Sequence, residues 1–222
     1  MKERLKKIYR WADNNAYLCA VLYLVLHTGI FFLISNFREP VIYIHTSIDD
    51  IIPVCEYFII PYVMWFLAFA GALIFFAKND RKNYWRLFIA LFLGTVLCSL
   101  IYLIVPNAIS MEQITRNENI FSGLLNLVWY VDNPTNACPS LHVLTSTVIA
   151  VVVYYSDYFR DKALSKWLII VFMILICIST MFVKQHSIID VLVGVILGIV
   201  LSLISKRAVS YTHLTLPTNS RV

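Results

Sequence analysis

The chain has 222 residues, 60% hydrophobic and 14% charged, with a formal net charge of +5 and a mean hydropathy of +0.76. That apolar share excludes an ordinary soluble domain. The positive charge clusters at the ends of apolar runs, which reads as membrane topology and contact with anionic lipid, not nucleic-acid binding.

The first eleven residues form an amphipathic stretch expected to lie along the inner membrane surface. Apolar runs long enough to cross a bilayer then recur at 17–36, 57–77, 87–106, 141–156, 167–184 and 187–205. No cleavable signal peptide is expected, because the first run lacks a small-residue cleavage site and further spans follow. His27, inside the first run, reads as a helix–helix hydrogen bond.

Two larger loops lie on one side, at about 37–56 and 107–140. In the first, Asp49 and Asp50 are expected to cap the start of the second span. Fourteen Lys and Arg residues fall on the other side, at 2–10, 78–86, 160–166 and 206–207. Only Arg38, Arg116 and Lys184 fall on the loop side, a bias that places both termini in the cytoplasm. The expected fold is therefore an all-α integral membrane protein of six transmembrane helices, a single domain over 1–207. From about Ala208 the composition changes abruptly, and residues 208–222 resemble the in-frame translation of a transposase sequencing adapter. His213 is accordingly set aside. The five cysteines (19, 55, 98, 138 and 177) show neither a CxxC pair nor metal-ligand spacing, so no zinc site or disulfide framework is expected.

Chemistry concentrates in two motifs, Cys138-Pro139-Ser140-Leu141-His142 and Lys184-Gln185-His186-Ser187-Ile188-Ile189-Asp190. Each places a histidine at the start of an apolar helix, and the topology brings both to one membrane surface. His186 and Asp190, four residues apart, share a helical face. The carboxylate can hold the far ring N–H and leave the other nitrogen as a nucleophile. His142 is placed to protonate a leaving group. Pro139 suits a first helical turn, and the N–H groups of Ser140 and Leu141 then form an anion site. Ser140 reads as a cap and phosphate donor, not a nucleophile. Lys184 is expected to supply a cation to the same phosphate.

These motifs, with Ser179-Thr180 between them, resemble the type 2 phosphatidic acid phosphatase superfamily over roughly residues 85–205. The likeness is to its bacterial integral-membrane members, near the inositol phosphorylceramide synthase-like branch. It implies a phosphatidic acid phosphatase type 2-like helical bundle and metal-free catalysis without a cofactor. His186 matches the nucleophile, Asp190 its partner and His142 the general acid. The superfamily's Ser-Arg slot reads Ser179-Thr180, and its Lys and Arg-Pro motif is not intact after Pro106-Asn107. Lys184 and Arg116 are the stand-ins for the missing cations.

The expected function is a lipid phosphate or diphosphate phosphatase, or a phosphotransferase. It would sit in the plasma membrane of a bacterium with its site facing outward, and its partners would be membrane lipids. The alternatives are a transporter or proton relay built on the His/Asp pair, and a non-catalytic lipid-binding member.

Overall fold

A computed structural model describes residues 2–37, 39–111, 113, 118–132 and 135–215. Helix α1 (Lys2–Asn14) leads directly into α2 (Ala16–Phe37). Strand β1 (Ile42–Ile44), the short helix α3 (Ser47–Ile51) and a 3-10 turn (Glu56–Phe58) form the first loop. Helices α4 (Ile59–Asn79) and α5 (Arg81–Ile104) follow. The second loop holds strand β2 (Asn107–Ile109) and helix α6 (Ile120–Val131). Helices α7 (Leu141–Tyr155), α8 (Ala163–Phe182) and α9 (Ile188–Thr215) complete the described chain.

Among the described residues, five helices are long and apolar enough to cross a membrane: Ala16–Phe37, Glu56–Asn79, Arg81–Ile104, Ala163–Phe182 and Ile188–Val209. Their outer faces expose Val25, Leu67, Leu168, Val171 and Ile196, a surface suited to hydrocarbon and costly in water. The remaining expected span is α7. With 15 residues it measures about 22 Å, short of the roughly 30 Å of a bilayer core. It is also the most enclosed helix, packed against α4, α5, α8 and α9.

Local chemistry sets the boundaries. The third run starts at Arg81, not at 87, because the Asp80 side chain caps α5 by accepting Asn83 N–H at 3.1 Å. It ends two residues before Pro106, which cannot continue a helix. Helix α6 occupies part of what the sequence reads as loop; the Asn119 side chain caps it by accepting from Phe121 N and Ser122 N. A two-stranded parallel sheet also modifies the all-α expectation, pairing Ile42 with Asn107, Tyr43 with Ala108 and Ile44 with Ile109.

Helices α7 and α9 approach closely because α9 carries glycine where it crosses α7. A Cβ on Gly198 would lie 2.7 Å from Thr147 Cβ and 2.9 Å from Leu144 O. One turn earlier, a Cβ on Gly194 would lie 2.9 Å from Ser140 O. This small-residue spacing lets two backbones touch, and it brings the starts of α7 and α9 together. At the far end of the bundle, basic side chains rest on aromatic faces: Lys166 on Tyr154 at 4.5 Å and Lys206 on Tyr155 at 3.4 Å.

Candidate active site

The first motif is held from outside its own helix. Asn107 grips the Cys138 backbone at both polar groups, accepting its N–H at 2.8 Å and donating to its carbonyl at 2.9 Å. The Tyr102 hydroxyl donates to Pro139 O. Ser140 is the cap of α7, its hydroxyl accepting Val143 N–H at 3.3 Å. Pro139 therefore stands before the cap and not in the first turn. The Ser140 N–H donates to Asp190 O at 3.3 Å, tying the two motifs directly. Leu141 and His142 are the first two residues of α7, so their N–H groups are among those that a helix start leaves without an intrahelical acceptor.

The His142 ring lies between aromatic faces. It stacks on Tyr62 at 4.8 Å and meets Trp65 at 4.2 Å. Trp65 is locked in turn by its indole N–H, which donates to Thr145 Oγ1 at 2.7 Å. His142 Nε2 is buried with no hydrogen-bond partner among the described residues. A fixed ring with one unsatisfied nitrogen is prepared for a group that arrives from elsewhere.

His186 comes from the tight connection between α8 and α9. The Gln185 and His186 N–H groups both donate to Thr180 O, at 3.0 and 3.2 Å, so Ser179-Thr180 serves here as a helix end. Lys184 takes a left-handed backbone, φ 53°. Its ammonium donates to Asp49 O and Ile52 O, each at 2.6 Å, and points into the first loop. Burial lowers the Lys184 pKa, with Asp49 and Asp50 acting in the opposite direction. Trp129 of α6 donates to Val183 O at 2.8 Å, and Gln113 donates to Lys184 O at 3.0 Å. Both loops thus clamp the turn that carries His186.

Behind His186, the fully buried Asp190 brings Oδ2 to 3.5 Å from His186 Nδ1. That oxygen also accepts Ser187 N–H at 2.9 Å. Nδ1 faces the carboxylate at this distance without a hydrogen bond to it; a carboxylate on that side favours Nε2 as the nitrogen available to a substrate. The His142 and His186 rings lie 5.8 Å apart, centroid to centroid. Both line one narrow cleft. Asp132, Thr135, Asn136 and Gln185 add polar lining, and Leu141 and Phe31 of α2 add apolar lining.

The structure therefore brings His142, His186, Asp190, Ser140 and Leu141 to one place. It directs the Lys184 ammonium elsewhere, and Arg116 lies outside the described residues. Sequence reasoning missed Asp132, Asn136 and Gln185 in the cleft, and Tyr62 and Asn107 around it; Asp49, expected to cap the second span, serves the last helix instead. Asp49 caps α9 from the first loop: its carboxylate accepts Ser187 Oγ–H at 2.7 Å and Ile188 N–H at 2.9 Å. The one signal available for any of these was proximity of Asn136 and Gln185 to the motifs.

Comparison with known proteins agrees with the geometry. A curated relative, an uncharacterized protein of Methanocaldococcus jannaschii, is 30% identical over 155 residues, 67% of this chain. The match spans 59% of that relative's own length. The crystal structure of Aquifex aeolicus LpxE superposes with a TM-score of 0.51 and 20% identity, covering 82% of this chain and 95% of that one. It shares the fold. A family model, the PAP2 superfamily, matches residues 106–213 and so includes His142, His186 and Asp190. Over that stretch, which carries both motifs of the cleft, the chain is similar to the PAP2 superfamily.

Proposed function

We propose that this chain is a membrane-embedded phosphatase or phosphotransferase of lipid phosphates or diphosphates, acting through a phosphohistidine on His186 without a metal. The observation that carries the reading is the pair of histidine rings 5.8 Å apart on one cleft, His186 backed by a carboxylate at 3.5 Å. His186 Nε2 attacks phosphorus. The P–O bond to the lipid breaks as His142 passes a proton to the departing oxygen. Water or an acceptor hydroxyl then attacks phosphorus, its proton passes to His142, and the P–N bond breaks.

The N–H groups of Leu141 and His142, at the positive end of α7, receive the phosphate. Arg116 is the proposed cation, carried by the loop whose Gln113 reaches Lys184 O. Ser140 and Lys184 act as supports. The lipid chain enters beside α2, where Phe31 meets the cleft. In this reading α7 is the enclosed sixth span, both termini are cytoplasmic and the site faces the outer leaflet. Charge placement supports that orientation, fourteen basic residues against three.

The test is phosphate release from a panel of lipid phosphates by the full chain in detergent micelles with EDTA, beside His186→Ala. EDTA-resistant release that vanishes in the variant is expected. Release that survives His186→Ala, or requires added metal, contradicts the reading.

A further inference from the structure

Asp132 closes α6 and stands on the cleft wall with His142, His186 and Gln185. Three contacts fix it there. Oδ2 accepts the Tyr62 hydroxyl at 3.0 Å, its carbonyl accepts Gln185 Nε2 at 3.2 Å, and its N–H donates to Val128 O at 2.8 Å. Tyr62 is itself pinned against the His142 ring. The carboxylate is therefore held on the same wall as both histidines.

A carboxylate beside a phosphate subsite is an electrostatic cost to phosphate binding, since like charges repel strongly where water is scarce. Burial raises the Asp132 pKa, while the Tyr62 hydroxyl and His186 favour its ionised form. What a fixed acceptor offers in return is a hydrogen bond to a donor that accompanies the phosphate. Transfer from a lipid monophosphate has an alcohol leaving phosphorus and a second alcohol, or water in its place, arriving at it. Further hydroxyl groups on those alcohols are donors of that kind.

We propose that Asp132 determines specificity: its carboxylate accepts a hydrogen bond from a hydroxyl next to the reacting phosphate, on the departing alcohol or on the attacking one. This rests on the phosphohistidine reading and deepens it. Substrates are then hydroxyl-bearing lipid phosphates, or the phosphoryl group passes to a polyol. A site built to bind a hydroxyl discriminates sharply against analogues that lack it.

The experiment compares wild type, Asp132→Asn and Tyr62→Phe on two donors, dodecyl phosphate and a monoacylglycerol phosphate of matched chain length. Each is run with and without glycerol as acceptor. Asp132→Asn is expected to raise kcat/KM on dodecyl phosphate, because a repelling charge is gone. It is expected to lower either the preference for monoacylglycerol phosphate or the glycerol-to-water partition by about tenfold, the effect of one charge-assisted hydrogen bond. The first drop assigns the hydroxyl to the departing alcohol and the second to the attacking one. Tyr62→Phe keeps the ring on His142 but frees the carboxylate, and should shift the same ratio in part. Parallel loss on both donors with unchanged partition marks a merely structural role and overturns the proposal. So do unmoved ratios in an active Asp132→Asn protein. Wild-type protein inactive on every donor refutes the phosphatase reading, and this proposal with it.

Discussion

The Asp49 carboxylate accepts the Ser187 hydroxyl at 2.7 Å although the two residues lie 138 apart in sequence. The first loop thereby caps the helix that carries Asp190, a task usually left to a local side chain. Burial pushes the Asp49 carboxyl up, but donors from Ile188, Ser187 and Thr46 outweigh it and hold the pKa below its ordinary value. The fold therefore binds the ionised form. Its stabilisation is full above the unfolded carboxylate pKa of about 4 and is lost as pH falls through the lowered folded value. Asp49→Asn should cost about 1–3 kcal/mol and flatten the acid limb of a plot of Tm against pH. Wild-type melting from about pH 3 to about pH 7 in the variant contradicts this assignment.

Lys184 offers a second test, because its two carbonyl contacts make it a strap between loop and turn. Lys184→Met should destabilise by about 1.5–3 kcal/mol, the value of hydrogen bonds to a charged group. It should also make the 39–58 segment more sensitive to protease. The KM for a lipid phosphate in the folded fraction should change little. A large rise in KM with unchanged Tm would instead make the ammonium a phosphate ligand.

Glycine at 198 is required by contact, not by backbone angle. Gly198→Ala drives a methyl against Thr147 and Leu144 O, which should cost about 1–3 kcal/mol and separate the two histidines. Gly29→Ala is the matched control, since a Cβ there meets nothing within 4 Å. Equal melting temperatures and activities for the two variants would show that the α7–α9 crossing is not tight.

Leaving-group chemistry isolates His142. His142→Phe preserves an aromatic ring between Tyr62 and Trp65 but has no proton to donate, so turnover of an alkyl phosphate should fall about 10²–10⁴-fold. An activated ester such as p-nitrophenyl phosphate needs little protonation of its leaving group and should lose much less. Equal losses on both esters would remove His142 from the proton-donor role.

The five long apolar helices were legible in the sequence because each is one continuous window. His142, His186 and Asp190 were legible because each motif is local and opens a helix. Helix α6 was not, since its twelve residues fall below span length. Lys184 stands two residues from His186 and reads as its cation, yet a left-handed backbone and the carbonyls of Asp49 and Ile52 turn its ammonium away. Asp132 and Asp49 reach the site only through folding, by the end of α6 and across the whole bundle.

The most direct measurement is capture of the covalent intermediate. The full chain, incubated in EDTA with a 32P-labelled lipid phosphate and denatured rapidly in alkali, should retain label that is stable to base and released by acid. Peptide mapping should place it on His186. The label should be absent from His186→Ala. It should persist longer in His142→Phe, where water is no longer activated. Turnover without any protein-bound label, or label on a residue other than His186, would contradict phosphohistidine catalysis at this site.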